Sequence, residues 1–105
     1  MTIKKSNSDT AKFLEGLAGE LTLAGLLVAI RQGEEMSQAE FANLLGVSRQ
    51  YLCDVEHGRR FISPKAAATF AKKLKYSPQQ FVRLCLQDLL NREGLKLKVD
   101  VKNAA

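Results

Sequence analysis

One histidine and two cysteines in 105 residues leave little with which to build a reactive or metal-binding centre. Cys53 and Cys85 are too few and too unpatterned for a disulfide scaffold, and no cluster of Cys and His at ligand spacing accompanies them, so structural zinc is not expected. Paired carboxylates in a recognisable cleft and a glycine-rich loop to cradle phosphate are also missing. The sequence therefore predicts neither an enzyme nor a cofactor. No apolar run approaches the ~20 residues that cross a bilayer, and the polar N-terminus MTIKKSNSDT excludes a signal peptide on pattern, so a cytoplasmic location is expected.

What the chain does have is an uneven distribution of charge. The net charge is +5. Between Ser48 and Tyr76 lie Arg49, Arg59, Arg60, Lys65, Lys72, Lys73 and Lys75 against only Asp54 and Glu56, so this segment carries the whole excess and the rest of the chain balances. A basic excess confined to one segment is the footprint of a surface that meets phosphates; the alternative is an ordinary solvated basic face.

At this length one domain with a real core is expected, with tails. Residues 1–9 are polar and aperiodic and predict a disordered arm, in which a frayed terminus is favoured over DNA contact by Lys4 and Lys5. From Thr10 to about residue 18, Phe13, Leu14 and Leu17 sit at helical spacing, interrupted by Gly16, and predict a short helix. Thr22 can cap LAGLLVAIRQG, whose Leu23, Leu26, Leu27 and Ile30 share one face and whose Gly33 marks a stop. Ser37 with Glu40 three residues later forms a capping box, after which Ala39, Phe41, Ala42, Leu44 and Leu45 supply a buried face and Gly46 ends the helix. Val47 anchors a tight turn, Ser48 caps the next helix, and Leu52 and Val55 continue at helical spacing to Gly58. Both prolines follow a hydroxyl cap: Ser63-Pro64 opens a helix burying Ala67, Phe70, Ala71 and Leu74, and Ser77-Pro78 opens the last, over about 78–93, with Gln80 completing a second capping box. Cys85 is expected in the core. The domain thus spans 10–93 with its core in 22–93.

After Gly94 the period changes. Leu95, Leu97, Val99 and Val101 alternate with Lys96, Lys98, Asp100 and Lys102, the pattern of a half-buried strand. No second strand is readable, so the edge of a strand in 94–105 would meet a copy from another subunit, a different protein, or water in a disordered tail.

Ser37 to Gly58 is the stretch with a recognisable task. An α-helix fits the DNA major groove while a preceding helix braces it across the backbone. Ala42 permits close approach, Gly46 makes the turn, and Phe41, Leu45, Val47, Leu52 and Val55 pack inward. Arg49, Gln50, Cys53, Asp54 and His57 then fall on the opposite face. Ser37-Gln38, Ala42, Gly46-Val47-Ser48, Leu52, Val55-Glu56, Gly58 and Arg59-Arg60 together resemble the helix-turn-helix family of phage lambda repressor and Cro, the xenobiotic-response-element class. The resemblance extends less sharply from Leu23 to about Leu86. It implies an all-α, five-helix DNA-binding domain, here with a short N-terminal helix and a C-terminal β-strand added.

That resemblance also implies that Gln38 bonds a phosphate and braces a neighbouring side chain, and that Arg49 and Gln50 lead base reading, with Cys53 and Asp54 one turn further along. Arg49 can bond guanine and Gln50 adenine through two contacts each; the alternative is phosphate contact. Asp54 can accept from cytosine or align Arg49 or Arg59, the latter being favoured. Ser48, Tyr51, His57, Arg59 and Arg60 are expected on phosphates, Tyr51 with packing as its alternative.

The family's usual assembly is a two-fold dimer on a palindromic operator with half-sites ~34 Å apart. The apolar surplus on the last helix (Leu86, Leu89, Leu90) and the Leu95, Leu97, Val99, Val101 stripe are the expected interface. The function implied is a dimeric transcriptional repressor on double-stranded DNA, in the nucleoid of a bacterium or in a phage. The alternative is the antitoxin of a toxin–antitoxin pair, with a toxin protein as partner. No larger C-terminal domain is read after residue 94, so cleavage-controlled regulation is not expected.

Overall fold

The computed structural model describes residues 21–104. The expected arm over 1–9 and the expected helix over 10–18 lie outside the described residues. Five helices follow in order: α1 (Leu23–Gly33), α2 (Gln38–Leu45), α3 (Arg49–Glu56), α4 (Pro64–Leu74) and α5 (Pro78–Arg92). Each starts where a hydroxyl side chain accepts from a backbone N–H of the first turn: Thr22 from Gly25, Ser37 from Glu40, Ser48 from Tyr51, Ser63 from Ala66 and Ser77 from Gln80. Such a cap satisfies one of the donors a helix leaves open, and its removal typically costs about 1 kcal/mol. The expected capping box is present at Ser37 and Glu40, whose carboxylate accepts from the Ser37 N–H at 2.8 Å. At Ser77 it is half made. Gln80 Oε1 accepts from Arg83 Nε at 3.2 Å, so a cation on the next turn holds the side chain that was expected to reach back.

α1 ends at Gly33 and α2 before Gly46, as expected, but the two turns are made differently. Gly46 (φ 78°) ends α2 in the left-handed region, as expected. Gly33, by contrast, is the last residue of α1 without being left-handed, and the left-handed residue is Glu35 (φ 56°), two positions on. The Met36 N–H reaches back to the Arg31 carbonyl at 3.0 Å and the Glu35 N–H to Gln32 at 3.0 Å, so the chain turns only after the last α1 carbonyls are satisfied.

Two compact units meet in sequence at Phe61 and Ile62. In the first, α1 and α2 both pack on α3. Leu23, Leu26, Leu27, Ile30, Phe41, Ala42, Leu45, Leu52 and Val55 are buried, which matches the expected apolar faces except that Ala39 is exposed and Leu44 and Val47 only half-buried. In the second, α4 packs on α5, with Ala67, Phe70, Ala71, Leu74, Tyr76, Phe81, Leu84 and Cys85 buried. The Cys85 thiol donates to the Ile62 carbonyl at 3.0 Å, and burial pushes its pKa up.

The expected C-terminal β-strand does not form: residues 95–104 contain neither strand nor helix. The reason lies in α5. Gln87 Nε2 donates to the Leu97 carbonyl at 2.8 Å and its Oε1 accepts from the Val99 N–H at 2.9 Å, so one side-chain amide supplies the bonds that a neighbouring strand would have supplied. Gln79 does the same for the Val101 carbonyl. Val99 and Val101 become half-buried, while Leu95 and Leu97 remain exposed. On α5, Leu86 and Leu90 are half-buried and Leu89 is exposed. Truncating Gln87→Ala is expected to free the Val99 amide, so that its hydrogen exchange rises to the rate of an unprotected residue, with stability lowered by about 1 kcal/mol. Undiminished protection at Val99 would contradict this role.

Candidate nucleic-acid interface

Residues 46–48 set the geometry of the interface. Gly46 supplies the left-handed step, the Val47 N–H donates to the Ala42 carbonyl at 3.0 Å, and Ser48 Oγ accepts from the Tyr51 N–H at 3.0 Å. The bonded turn leaves no slack between α2 and α3. Leu52 and Val55 are each 1% exposed and fix the inner side of α3. Arg49, Gln50 and His57 are exposed and Cys53 and Asp54 half-buried, so the predicted outer face is brought together on one side of the helix.

A two-pronged, largely buried polar contact lies at the other end of α3. Arg31 and Glu56 form a two-pronged ion pair, with Nε to Oε2 at 2.8 Å and Nη2 to Oε1 at 3.1 Å. Gln38 Nε2 donates to the same Oε1 at 2.9 Å, and Arg31 Nη1 donates to the Met36 carbonyl at 3.1 Å. The side chains are only 16% and 6% exposed for Arg31 and Glu56, respectively. Burial acts to raise the Glu56 pKa, but the hydrogen bonds from Arg31 and Gln38 and the Arg31 charge outweigh it and hold the carboxyl below its ordinary value of 4.5. One carboxylate thus joins the end of α1, the start of α2 and the end of α3. Sequence reasoning missed this joint. In the sequence Glu56 stands out only as a charge and a motif position, and its partner is 25 residues away, beyond any local spacing rule.

A second polar group lies on the outer face. Asp54 Oδ1 accepts from Gln50 Nε2 at 3.0 Å and from Arg59 Nε at 3.0 Å. Hydrogen bonding to Arg59 is the main reason its carboxyl sits below the usual range, with Gln50 and the nearby Arg60 charge helping. Of the two arginines considered for alignment, Asp54 bonds Arg59, and it bonds Gln50 besides. Arg59 Nη2 also lies 3.6 Å from Cys53 Sγ. His57 Nδ1 donates to the Cys53 carbonyl at 2.8 Å, since a carbonyl oxygen only accepts. Arg60 turns elsewhere, its guanidinium 4.7 Å from the centre of the Tyr51 ring, which gives Tyr51 a packing partner. Gln38 bonds Glu56 and braces that residue instead of a base-facing side chain. Among the described residues no group of three or more His, Cys, Asp or Glu is placed to hold a metal, and no helix is long and apolar enough to cross a membrane.

A family model for the helix-turn-helix matches residues 27–81, just over half of the chain. No curated protein and no solved structure matches it. The chain belongs to the lambda repressor/Cro-like helix-turn-helix family, a family of DNA-binding transcription regulators.

Because the folded Glu56 carboxyl titrates below 4.5, its contribution to stability is complete above that pH and is lost as pH falls through the folded value. The urea midpoint is expected to drop as the solution is acidified below 4.5, and Glu56→Gln is expected to flatten that part of the profile. At neutral pH, Glu56→Ala strands the Arg31 guanidinium and is expected to cost about 3 kcal/mol in denaturant unfolding. A loss under about 1 kcal/mol, the range of surface pairs, would show that the joint contributes little.

Proposed function

We propose that the chain is a dimeric repressor that reads a palindromic operator through α3, acting in the cytoplasm where that DNA lies. The observation that carries this reading is the division of α3 into a locked inner face and an outer face that opens with Arg49 and Gln50, both exposed. Arg49 offers two donors to guanine O6 and N7. Gln50 spends one Nε2 hydrogen on Asp54 and keeps the other, with its carbonyl oxygen, for adenine N7 and N6. Ser48, Tyr51, His57 and Arg60 surround this face and contact phosphates, while Gln38 has one amide hydrogen left for the backbone beside α2.

The second copy binds through the exposed Leu89, Leu95 and Leu97 together with the half-buried Leu86, Leu90, Val99 and Val101; large apolar side chains with 45%, 47% and 57% exposure supply the motive for burial. The antitoxin alternative uses the same leucines to hold a toxin. Sedimentation separates the two: a homodimer supports the repressor, and a stable complex with a co-expressed toxin supports the alternative.

Selection of duplexes from a random pool should recover a palindrome. Arg49→Ala is expected to relax one base position in each half-site by about tenfold. Arg60→Ala is expected to weaken all duplexes alike and to reduce the salt slope by about one unit. Recovery of random sequence by the unaltered protein would reject the reading.

A further inference from the structure

Arg59 lies just beyond α3 in sequence, where a basic pair after a helix is expected to hold phosphate. Its side chain does something else. Nε and Nη2 both approach Asp54 Oδ1 at 3.0 Å, and Nη2 lies 3.6 Å from Cys53 Sγ. Cys53 and Asp54 belong to the outer face of α3, so the guanidinium is folded back over that face, one turn beyond Arg49 and Gln50. Its neighbour Arg60 stacks on Tyr51. The two arginines are adjacent in sequence and differ in what holds them.

We propose that Arg59 is a base-reading residue, specific for guanine, and that Asp54 is the positioning residue that aims it. This rests on the reading of α3 as the DNA-facing helix. A guanidinium carries five N–H donors in a planar fork. Asp54 takes the Nε and Nη2 side of that fork. The opposite edge, formed by Nη1 and the remaining Nη2 hydrogen, presents two parallel donors, the arrangement that guanine O6 and N7 accept. The contact with Cys53 is no obstacle, because thiol sulfur is a weak acceptor that a guanine oxygen or nitrogen displaces. The carboxylate also removes rotamer freedom from a long side chain before DNA arrives, so less ordering is left to binding. An arginine that gripped phosphate would gain nothing from this arrangement, since Asp54 sets a negative charge beside the phosphate it would seek.

The same Asp54 oxygen accepts from Gln50 Nε2 at 3.0 Å. Asp54 therefore couples a guanine reader to an adenine reader, and the two base positions should not vary independently.

The test is duplex selection followed by affinity measurement on the recovered site and its single-base variants, with the unaltered protein, Arg59→Ala, Arg59→Lys, Asp54→Ala and Asp54→Asn. Arg59→Ala is expected to abolish the preference for guanine at one position of each half-site, a loss of about tenfold in discrimination, and to leave the Arg49 position unchanged. Arg59→Lys should fail to restore it, because a lysine lacks the fork. Asp54→Ala should relax the same position and also weaken selection at the Gln50 position, whereas Asp54→Asn, which keeps a side-chain acceptor, should restore part of both. A purely structural Asp54 would lower the melting temperature and leave base preference intact, which overturns the positioning role. Uniform weakening of every duplex by Arg59→Ala, with a reduced salt slope and an unchanged motif, would overturn the base-reading role and return Arg59 to phosphate. Failure of the unaltered protein to recover any motif would overturn the reading of α3 itself, along with this proposal.

Discussion

The Glu56 carboxylate, held by Arg31 from α1 and Gln38 from α2, is the contact on which the geometry of the first unit depends. Apolar packing among Phe41, Ala42, Leu45, Leu52 and Val55 brings the helices together, but apolar surfaces tolerate rotation and sliding. A guanidinium fork on a carboxylate does not, because both bonds weaken when the planes tilt. Withdrawing the two charges from water is costly, and a net gain requires that the remaining donors be used. Here Arg31 spends Nη1 on the Met36 carbonyl and Glu56 accepts a third bond from Gln38. The pair also fixes the loop between α1 and α2, since Met36 precedes the Ser37 cap.

With α3 held at both ends, by the 46–48 turn and by Glu56, its outer face becomes a rigid platform. On that face the electrostatics are arranged in opposition. Asp54 is acidic amid an arginine-rich segment, and a bare carboxylate facing DNA would repel phosphate. Its bonds to Arg59 and Gln50 offset that charge and tie the three side chains together. Tyr51 serves Arg60 in a different way, offering a ring face that holds a cation without removing its charge. The basic excess of this segment is thus divided among separate holders.

Much of this was legible in the sequence because it is local. Ser37 with Glu40, Gly46, Ser48, Ser63-Pro64 and Ser77-Pro78 announce helix ends through bonds spanning a few residues, and the 3.6-residue period of Leu23, Leu26, Leu27 and Ile30 announces a buried face. What escaped was long-range or competitive. The Arg31–Glu56 pair spans 25 residues. α1 stops at Gly33 as its glycine announces, but the left-handed step falls at Glu35, after the bonds from the Glu35 and Met36 N–H groups. Gln80 found Arg83 before its cap, and the two-residue period after Gly94, a sound strand signal, was overridden by Gln87, whose amide bonds the Leu97 and Val99 backbone in place of a strand. The outer face of α3 is legible as a set of residues; the partnership of Asp54 with Arg59 is one of several options the sequence offers, since side-chain direction after a helix end has no period to read.

The central claim is that a polar joint remote from the outer face sets the pose of the reading helix. Replacing Arg31→Met, Glu56→Met and both together, and measuring operator and random-duplex affinity well below each melting temperature with helix content followed by circular dichroism, tests it most directly. Each single change is expected to leave the helices formed and random-duplex binding intact while discrimination for the operator falls by at least about tenfold, with the double change costing no more than one single change because the two side chains act as a unit. Undiminished discrimination in all three, with helix content unchanged, would contradict the account.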